Sequence, residues 1–293
     1  MRRRLTSFQG AVLTWGQGGR RDLPWRRTRD PWAILVSELM LQQTQVGRVV
    51  PKYHAFLARF PDPVACASAG AGAVLEAWQG LGYNRRAISL HRAATAVVER
   101  HDGHLPHTLA ELVALPGIGP YTARAVLAFA FEQPAGVVDT NAARVLARAV
   151  AGRRLTWREV QTLADDMVPE GRSWAWNQAM LDLGATICTS RSPRCDRCPL
   201  AAGGHCAWAA GGLPPPDPAA ASAGTSGRQS RFAGSDRQGR GRVVDALRRG
   251  SVPFHALAVV AGWPDDPARA ARVAAGLVAD GLAAATEEEL TLP

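Results

Sequence analysis

Four of the five cysteines lie close together near residue 200 and could hold a metal centre. They are Cys188, Cys195, Cys198 and Cys206, separated by six, two and seven residues. In a chain with no recognisable secretory leader, such a group is more typical of metal ligands than of disulfides. One CxxC pair with asymmetric flanking spacing favours a single iron–sulfur cluster, although the spacing alone leaves zinc open. Cys66 stands apart and is predicted to be a small buried side chain.

Two carboxylates are placed where they could perform acid–base chemistry. Glu38 follows Ile34 by four residues and Leu35 by three, so a helix would put it on or beside its apolar stripe. Asp139 ends the apolar segment AGVVD, where it could simply cap the next helix. As a pair they suit glycoside-type chemistry, because one acid can protonate the leaving group while the other carboxylate faces the developing sugar cation.

A short glycine turn in LPGIGPYTARAVLAFAF (115–131) is a candidate phosphate contact. Gly117 and Gly119 bracket one apolar residue between two predicted helices. Such a turn leaves backbone N–H groups bare at a helix start, where they can bind a phosphate without reading sequence. Most GxG turns are only turns, so this signal is weak by itself.

Charge and composition favour a polyanionic partner. The net charge is +9, and 33 of the 34 basic residues are arginine, Lys52 being the only lysine. A Schiff-base mechanism needs a lysine amine, so this composition restricts it. No apolar run is long enough for a membrane helix.

The elements that must position these groups are predicted to be helices, giving an all-α fold. Residues 1–212 form the predicted main domain, with the metal loop at 188–206. Residues 213–230, rich in Pro, Ala, Gly and Ser, are predicted to be a flexible linker. Residues 231–293 are predicted to be a small winged-helix-like domain, in which Asp266 caps the last helix. The predicted helices are 31–46, 73–79, 85–101, 108–115, 120–131, 141–150, 157–168, 174–187, 236–249, 253–261 and 267–280.

Together these segments resemble the helix-hairpin-helix DNA glycosylases of the endonuclease III-like superfamily, and among them the MutY-type adenine glycosylases. The resemblance covers about residues 20–210 and implies one 4Fe–4S cluster on the four clustered cysteines. The family usually has five residues between the last two cysteines, whereas PLAAGGH supplies seven here. The matching segments, in family order, are LPWR (23–26), SELMLQQTQV (37–46), LGYNRRA (81–87), LPGIGPYTA (115–123), VVDTNAARVLAR (137–148), NQAMLDLGATIC (177–188) and the cysteine loop.

The resemblance also implies catalytic roles. Glu38 matches the acid that protonates adenine, and Asp139 matches the carboxylate that stabilises the oxocarbenium-like sugar. Tyr121 and Asn141 match positions that support this carboxylate. Endonuclease III-like enzymes have lysine where Tyr121 stands, so the resemblance implies a monofunctional enzyme that leaves an abasic site.

Further residues are expected to contact DNA or adenine. By resemblance, Gln43 and Thr44 face the orphaned base, Tyr83 intercalates, and Arg26 and Gln178 line the adenine pocket. Phosphate contacts are expected from Gly117, Gly119, Arg191 and Arg194.

The implied substrate is duplex DNA with adenine mispaired with 8-oxoguanine or guanine. The larger Nudix-like domain that usually reads 8-oxoguanine is replaced here by residues 231–293. We expect a monomer in the bacterial cytoplasm, associated with the nucleoid, with no membrane contact; the sequence identifies no protein partner. Two alternatives remain: an endonuclease III-like lyase acting on oxidised pyrimidines, and a non-catalytic DNA-binding relative.

Overall fold

Helices make up nearly all the regular structure of the computed structural model, which describes residues 6–222 and 231–293. The all-α prediction is confirmed, and none of the described helices is long and apolar enough to cross a membrane. The helices are α1 (Ser7–Gly19), α2 (Pro31–Leu41), α3 (Val46–Arg59), α4 (Pro63–Ser68), α5 (Gly70–Ala77), α6 (Arg85–His101), α7 (Leu109–Ala114), α8 (Pro120–Phe129), α9 (Thr140–Val145), α10 (Trp157–Asp166), α11 (Ser173–Thr186), α12 (Pro199–Ala202), α13 (Ala207–Ala210), α14 (Asp236–Leu247), α15 (Leu257–Ala261) and α16 (Pro267–Ala279).

The helix predicted for residues 31–46 is interrupted in the structure. It ends at Leu41, and Gln43 has a φ of 53°, in the left-handed region that a helix cannot contain. The Thr44 amide closes the turn by donating to the Leu41 carbonyl (3.2 Å). Gln43 and Thr44 therefore lie in a turn and not on a helix face.

The described chain divides into two units, of which the first comprises residues 6–34, 107–109 and 119–222. Its core lies where α1 packs on α11. Gly16 permits this approach, because a Cβ there would lie 2.7 Å from the Ala179 Cβ. A π-helical turn, Leu146–Ala151, continues α9 and replaces the end of the helix predicted for 141–150.

The second unit comprises residues 35–106, 110–118 and 231–293. In it α6 packs against α4 and α5. The Phe56 ring meets Phe60 and Trp78 edge to face, with centroids 4.8 and 6.0 Å apart. All three of these rings are buried.

Residues 231–293, hereafter the tail, have the element order of a winged helix. Three short strands, β1 (Val252–Pro253), β2 (Ala284–Ala285) and β3 (Glu289–Thr291), form an antiparallel sheet in the order β1–β3–β2. The cap predicted at Asp266 is present, since its Oδ1 accepts from the Arg269 amide (2.9 Å). The short strands carry no periodicity long enough to be recognised in the sequence.

The predicted linker is not free of contacts in its described part. Asp217 accepts hydrogen bonds from Arg148 (2.9 and 2.5 Å), and the Ser222 hydroxyl accepts one from the Leu155 amide (3.1 Å). Ala219 is buried as well. Small side chains that have little to bury by themselves can thus still pack against a neighbouring surface. The remainder of the predicted linker, 223–230, lies outside the described residues.

Candidate functional site

Asp139 is held in one orientation by the start of α9. Its Oδ1 accepts from the amides of Asn141 and Ala142, both at 2.8 Å, and its Oδ2 accepts from the Asn141 side chain at 2.7 Å. Part of the residue reaches solvent, yet burial of the carboxylate raises its pKa above the ordinary value, against the effect of these donors. The structure therefore pairs Asp139 with Asn141 and leaves the carboxylate only partly compensated for desolvation.

Arg144 supports this arrangement from the next turn. It donates to the Asn141 Oδ1 (2.8 Å), to the Gly184 carbonyl (2.6 Å) and to the Cys188 carbonyl (2.6 Å). Gly184 allows close packing here, because a Cβ would lie 2.5 Å from the Asn141 carbonyl oxygen. Arg144 thus connects the Asp139 cap to the first cysteine of the metal loop.

Glu38 lies near the end of α2, and only 7% of its surface is exposed. Its helix begins at Pro31, where Asp30 accepts from the Trp32 amide (3.0 Å). A carboxylate with so little exposure is uncommon unless it is paired. Glu38 belongs to the second unit and Asp139 to the first, and their joint action on one bond stays a prediction.

The residues predicted to reach the base stack lie in two turns of the second unit. Tyr83 is 42% exposed and has a φ of 46°. Arg86, which the sequence analysis did not single out, connects the turns: its guanidinium donates to the Thr44 hydroxyl (3.0 Å) and to the Gly82 carbonyl (3.0 Å). Gln43, in the first of the two turns, is exposed.

Arg86 also stabilises the end of α2. It donates to the carbonyls of Leu39 (2.6 Å), Met40 (3.0 Å) and Leu81 (3.2 Å). The last carbonyls of a helix have no partner within it, so a buried guanidinium satisfies them. Desolvation lowers the pKa of Arg86 to about 10.

The glycine turn has the geometry of a hairpin between α7 and α8. Gly117 has a φ of 74°, and a Cβ there would lie 2.4 Å from that of Ser89, so both conformation and space require glycine. Gly119 precedes α8 without a side-chain cap, and both glycines are exposed. Tyr121 stands in the first turn of α8.

Arg26 is committed to a buried ion pair. Its two Nη atoms donate to the Asp182 carboxylate at 2.5 and 3.0 Å, and Asp182 has no exposed side-chain surface. Although burial opposes ionisation, Arg26 and Arg21 hold the pKa of Asp182 below its ordinary value. The Arg26 Nε has no hydrogen-bond partner among the described residues, and Gln178 is buried on the same helix as Asp182.

The four clustered cysteines line one cavity of the first unit. Cys198 and Cys206 are buried, and Cys188 and Cys195 are half-buried. Apolar side chains, among them Leu183, line the same cavity together with Arg148 and Arg194. Four thiols around one cavity fit a cluster with four thiolate ligands.

The enlarged spacing before Cys206 is absorbed locally. Pro199–Ala202 form one helical turn, which the His205 amide closes by donating to the Leu200 carbonyl (2.7 Å). Cys206 still reaches the cavity. The other loop residues predicted to contact DNA, Arg191 and Arg194, are exposed.

Sequence reasoning missed the arginine that supports this loop. Arg148, on the π-helical turn, is 1% exposed and donates to the Cys188 Sγ (3.4 Å) and the Thr189 carbonyl (2.7 Å). Burial opposes its charge, but Asp217 and Cys188 raise its pKa above the ordinary value. The only sequence signal was its position in the segment VVDTNAARVLAR.

Two known families match separate segments of the chain. Residues 36–170 match the HhH-GPD superfamily of base excision DNA repair proteins, and residues 188–203 match the iron–sulfur binding domain of endonuclease III. The second match ends within the enlarged loop, before Cys206. Among solved structures, a thermostable thymine-DNA glycosylase has a TM-score of 0.63 at 30% identity, covering 69% of this chain and 94% of that chain.

Curated relatives extend the likeness to the tail. The adenine DNA glycosylase of Mycolicibacterium smegmatis is 43% identical over 282 residues, covering 94% of this chain and 92% of the relative. Human adenine DNA glycosylase is 41% identical over 210 residues, covering 67% of this chain and 38% of the relative. Because the mycobacterial match leaves so little of the chain out, it includes most of the tail. The chain therefore belongs to the adenine DNA glycosylase family of the HhH-GPD superfamily, and its cysteine loop is an iron–sulfur domain of the 4Fe–4S type.

Proposed function

We propose that this protein is a monofunctional DNA glycosylase of base excision repair. It hydrolyses the N-glycosidic bond of adenine mispaired with 8-oxoguanine or guanine in duplex DNA. The observation that carries this proposal is the near-full-length likeness to a relative named adenine DNA glycosylase. The orientation of Asp139 and the burial of Glu38 supply the chemistry that such a reaction needs.

Glu38 is the proposed general acid. Adenine is a poor leaving group as an anion, so protonation of a ring nitrogen lowers the barrier to bond cleavage. General acid catalysis of this kind contributes roughly 10²–10⁴-fold. The low exposure of Glu38 suits a carboxyl that must deliver a proton and not lose it to solvent.

Asp139 is the proposed stabiliser of the sugar cation. Its Oδ2 accepts from the Asn141 side chain, while Oδ1 is fixed by two amides. This fixed carboxylate needs no reorganisation when positive charge develops on the sugar. Asn141 orients it, and Tyr121 is proposed to assist in the same role.

Extrusion of the adenine nucleotide from the stack precedes the chemistry. Extrusion costs a few kcal/mol and is easiest for a mispaired base. We assign the wedge to Gln43 and Thr44, and the inserted aromatic ring to Tyr83. Arg26, through its remaining Nε donor, and Gln178 are proposed to contact the extruded adenine.

The cluster is proposed to be structural. Cys188, Cys195, Cys198 and Cys206 would hold it as thiolates, and a 4Fe–4S cluster bound there supplies a rigid crosslink for the loop. The exposed Arg191 and Arg194 of this loop would then contact DNA phosphates. Arg148 and Asp217 support the same loop from the protein side.

The test is a panel of duplexes with adenine opposite 8-oxoguanine, guanine, cytosine or thymine, together with thymine opposite guanine. We expect release of adenine from the first two and strand breakage only after alkali. Glu38→Gln should lower the single-turnover rate by about 10²–10⁴-fold without weakening binding. Glu99→Gln, at an exposed position of α6, is the matched control.

Three outcomes would contradict the proposal. If the Glu38→Gln variant retains the wild-type rate, Glu38 is not the general acid. Release of thymine in place of adenine would favour the specificity named for the thymine-DNA glycosylase relative. Borohydride trapping of DNA on Lys52 would favour a lyase.

A further inference from the structure

The tail is attached to the rest of the second unit by a buried arginine. Arg248 follows α14, and its side chain is 5% exposed. Its Nε and Nη2 donate to the Leu75 carbonyl (3.1 and 3.0 Å), and Nη2 also donates to the Asn84 Oδ1 (3.1 Å). Asp245 accepts from the remaining Nη1. Leu75 is in the last turn of α5, where carbonyls lack helical partners and a cation is favoured.

Other contacts bring the tail close to the same helices. Asp280, after α16, accepts hydrogen bonds from Arg240 within the tail and lies 3.4 Å from Arg85 at the start of α6. Gly72 allows Pro293 to approach α5, since a Cβ there would lie 2.6 Å from the Pro293 carbonyl oxygen. Glycine is thus required by space at this contact.

Between Leu75 and Asn84 the chain carries the exposed Tyr83. We name residues 80–84 the Tyr83 loop. Gly80, Gly82 and Tyr83 all have positive φ, at 87°, 70° and 46°. The Trp78 Nε1 donates to the Gly82 carbonyl (3.3 Å) and fixes the loop from one side. A loop with this backbone keeps its shape only where neighbouring groups hold it.

The tail contacts the last two residues of this loop, Tyr83 and Asn84. Arg248 binds the Asn84 side chain, and the Arg237 Nη1 lies 3.4 Å from the Tyr83 hydroxyl, to which it donates. By contrast, Arg269 stays within the tail, where it is paired with Asp236 and stacked on Trp263 at 4.0 Å. Arg248 and Arg237 are thus tail arginines that reach the Tyr83 loop.

We propose that the tail positions the Tyr83 loop through Arg248 and Arg237, which makes these two residues specificity-determining in the function proposed above. In that function the Tyr83 ring is inserted only in the complex with an extruded nucleotide. Binding to undamaged duplex therefore does not depend on the Tyr83 ring. A loop fixed in advance loses less conformational freedom on insertion, so the tail strengthens specific binding selectively.

The test compares Arg248→Ala and Arg237→Met with Arg249→Ala, an exposed neighbour, in the full-length holoenzyme. The probes are a duplex with 2′-fluoro-deoxyadenosine opposite 8-oxoguanine, which is not cleaved, and the undamaged duplex. Arg248→Ala should lower the ratio of the two affinities about tenfold, which corresponds to about 1.4 kcal/mol, and Arg237→Met should lower it about threefold. The salt dependence of binding and the Arg249→Ala ratio should not change.

A fluorescent 2-aminopurine beside the lesion gives the second readout. Its emission should rise on binding to the wild type and rise less with both loop-directed variants. If circular dichroism shows that Arg248→Ala disrupts the tail, the surface variant Arg237→Met decides the question.

Two results would overturn the inference. One is an unchanged affinity ratio in both Arg248→Ala and Arg237→Met. If the wild type still excises adenine, that result leaves the proposed function intact. The other is an equal loss on both duplexes with a salt slope smaller by about one, as removal of a phosphate contact gives. A wild type that excises no adenine from any duplex would overturn both proposals.

Discussion

Buried arginines stabilise both units, but they bind different kinds of partner. In the first unit, Arg26 pairs with Asp182 and Arg148 pairs with Asp217. In the second unit, Arg86 binds the carbonyls of Leu39, Met40, Leu81 and Gly82 together with the Thr44 hydroxyl. Arg26 and Arg148 thus balance charge against charge, whereas Arg86 uses its charge to satisfy backbone groups.

The pKa directions show the consequence of this difference. Burial opposes the charge of Arg148, but Asp217 and Cys188 raise its pKa above the ordinary value. Burial lowers the pKa of Arg86 to about 10, because carbonyls compensate desolvation less than a carboxylate does. Loss of its aspartate should therefore leave Arg26 or Arg148 with an uncompensated charge, whereas loss of Arg86 should release the two turns that it holds.

The largest effect on stability is expected at Asp182. Asp182→Ala leaves Arg26 buried without a counter-charge, which costs about 3–5 kcal/mol of unfolding free energy. Urea unfolding monitored by circular dichroism measures this change. The pair also predicts acid sensitivity. Because the pKa of Asp182 is depressed in the folded state, its contribution is present above the unfolded value and is lost as pH falls through the folded value.

Asp22→Ala is the matched control for this prediction. Asp22 also pairs with an arginine, Arg27, but both side chains are about 70% exposed. An exposed pair contributes little, so no measurable change is expected. Equal unfolding midpoints for the two variants would contradict the importance given to burial.

A smaller effect, but one that reaches function, is expected at Arg86. Arg86→Ala removes charged hydrogen bonds from several buried carbonyls, and we expect a loss of about 2–3 kcal/mol in unfolding free energy. In this variant the turn containing Thr44 and the loop containing Tyr83 should exchange amide hydrogens faster than in the wild type. Exchange in α1 of the first unit should stay unchanged. Hydrogen exchange measured by mass spectrometry separates these segments.

Arg85→Ala tests whether this effect belongs to the buried side chain. Arg85 is adjacent, its side chain is 75% exposed, and it lies 3.4 Å from Asp280 in an ion pair. Its loss should leave exchange in the Thr44 turn unchanged. Equal acceleration by both variants would mean that net charge, and not carbonyl binding, stabilises the second unit.

The same distinction explains how much could be predicted from the sequence. The cysteines, Asp139 and Glu38 were recognisable because chemistry limits which side chains can serve there, and because each belongs to a contiguous motif. Most of the helices were also predicted, since their apolar periodicity is local. The Asp266 cap followed from local rules as well.

The arginine contacts could not be predicted in the same way. Arg248 and Leu75 are 173 residues apart, and the acceptor is a backbone carbonyl that every residue possesses. Likewise, nothing in the Pro- and Ala-rich segment around Asp217 indicated a partner for Arg148. The end of α2 at Leu41 was missed because the segment LQQTQV (41–46) contains no Gly or Pro to mark a helix end, and the turn is made by the backbone of Gln43.

The smallest effect on stability, and one of opposite sign, is expected at Asp139. Its pKa is raised in the folded state, so folding favours the protonated form and ionisation at neutral pH lowers stability. Asp139→Asn keeps a good helix cap and removes this charge. The variant should be slightly more stable than the wild type at pH 7, while losing about 10²–10³-fold in single-turnover rate.

The pH dependence distinguishes this explanation from a general effect of removing acid groups. The stability gain of Asp139→Asn should shrink as pH falls through the raised pKa towards the ordinary value of 3.8, because the wild-type carboxyl then becomes neutral too. Asp62→Asn is the control, since Asp62 caps α4 from an exposed position by accepting from the Ala65 amide (2.7 Å). It should show neither the gain at pH 7 nor the loss of rate. A less stable Asp139→Asn at neutral pH would mean that the amides of α9 favour the ionised carboxylate more than burial penalises it, and Asp139 would then belong with the charge-balanced arginine pairs of its own unit.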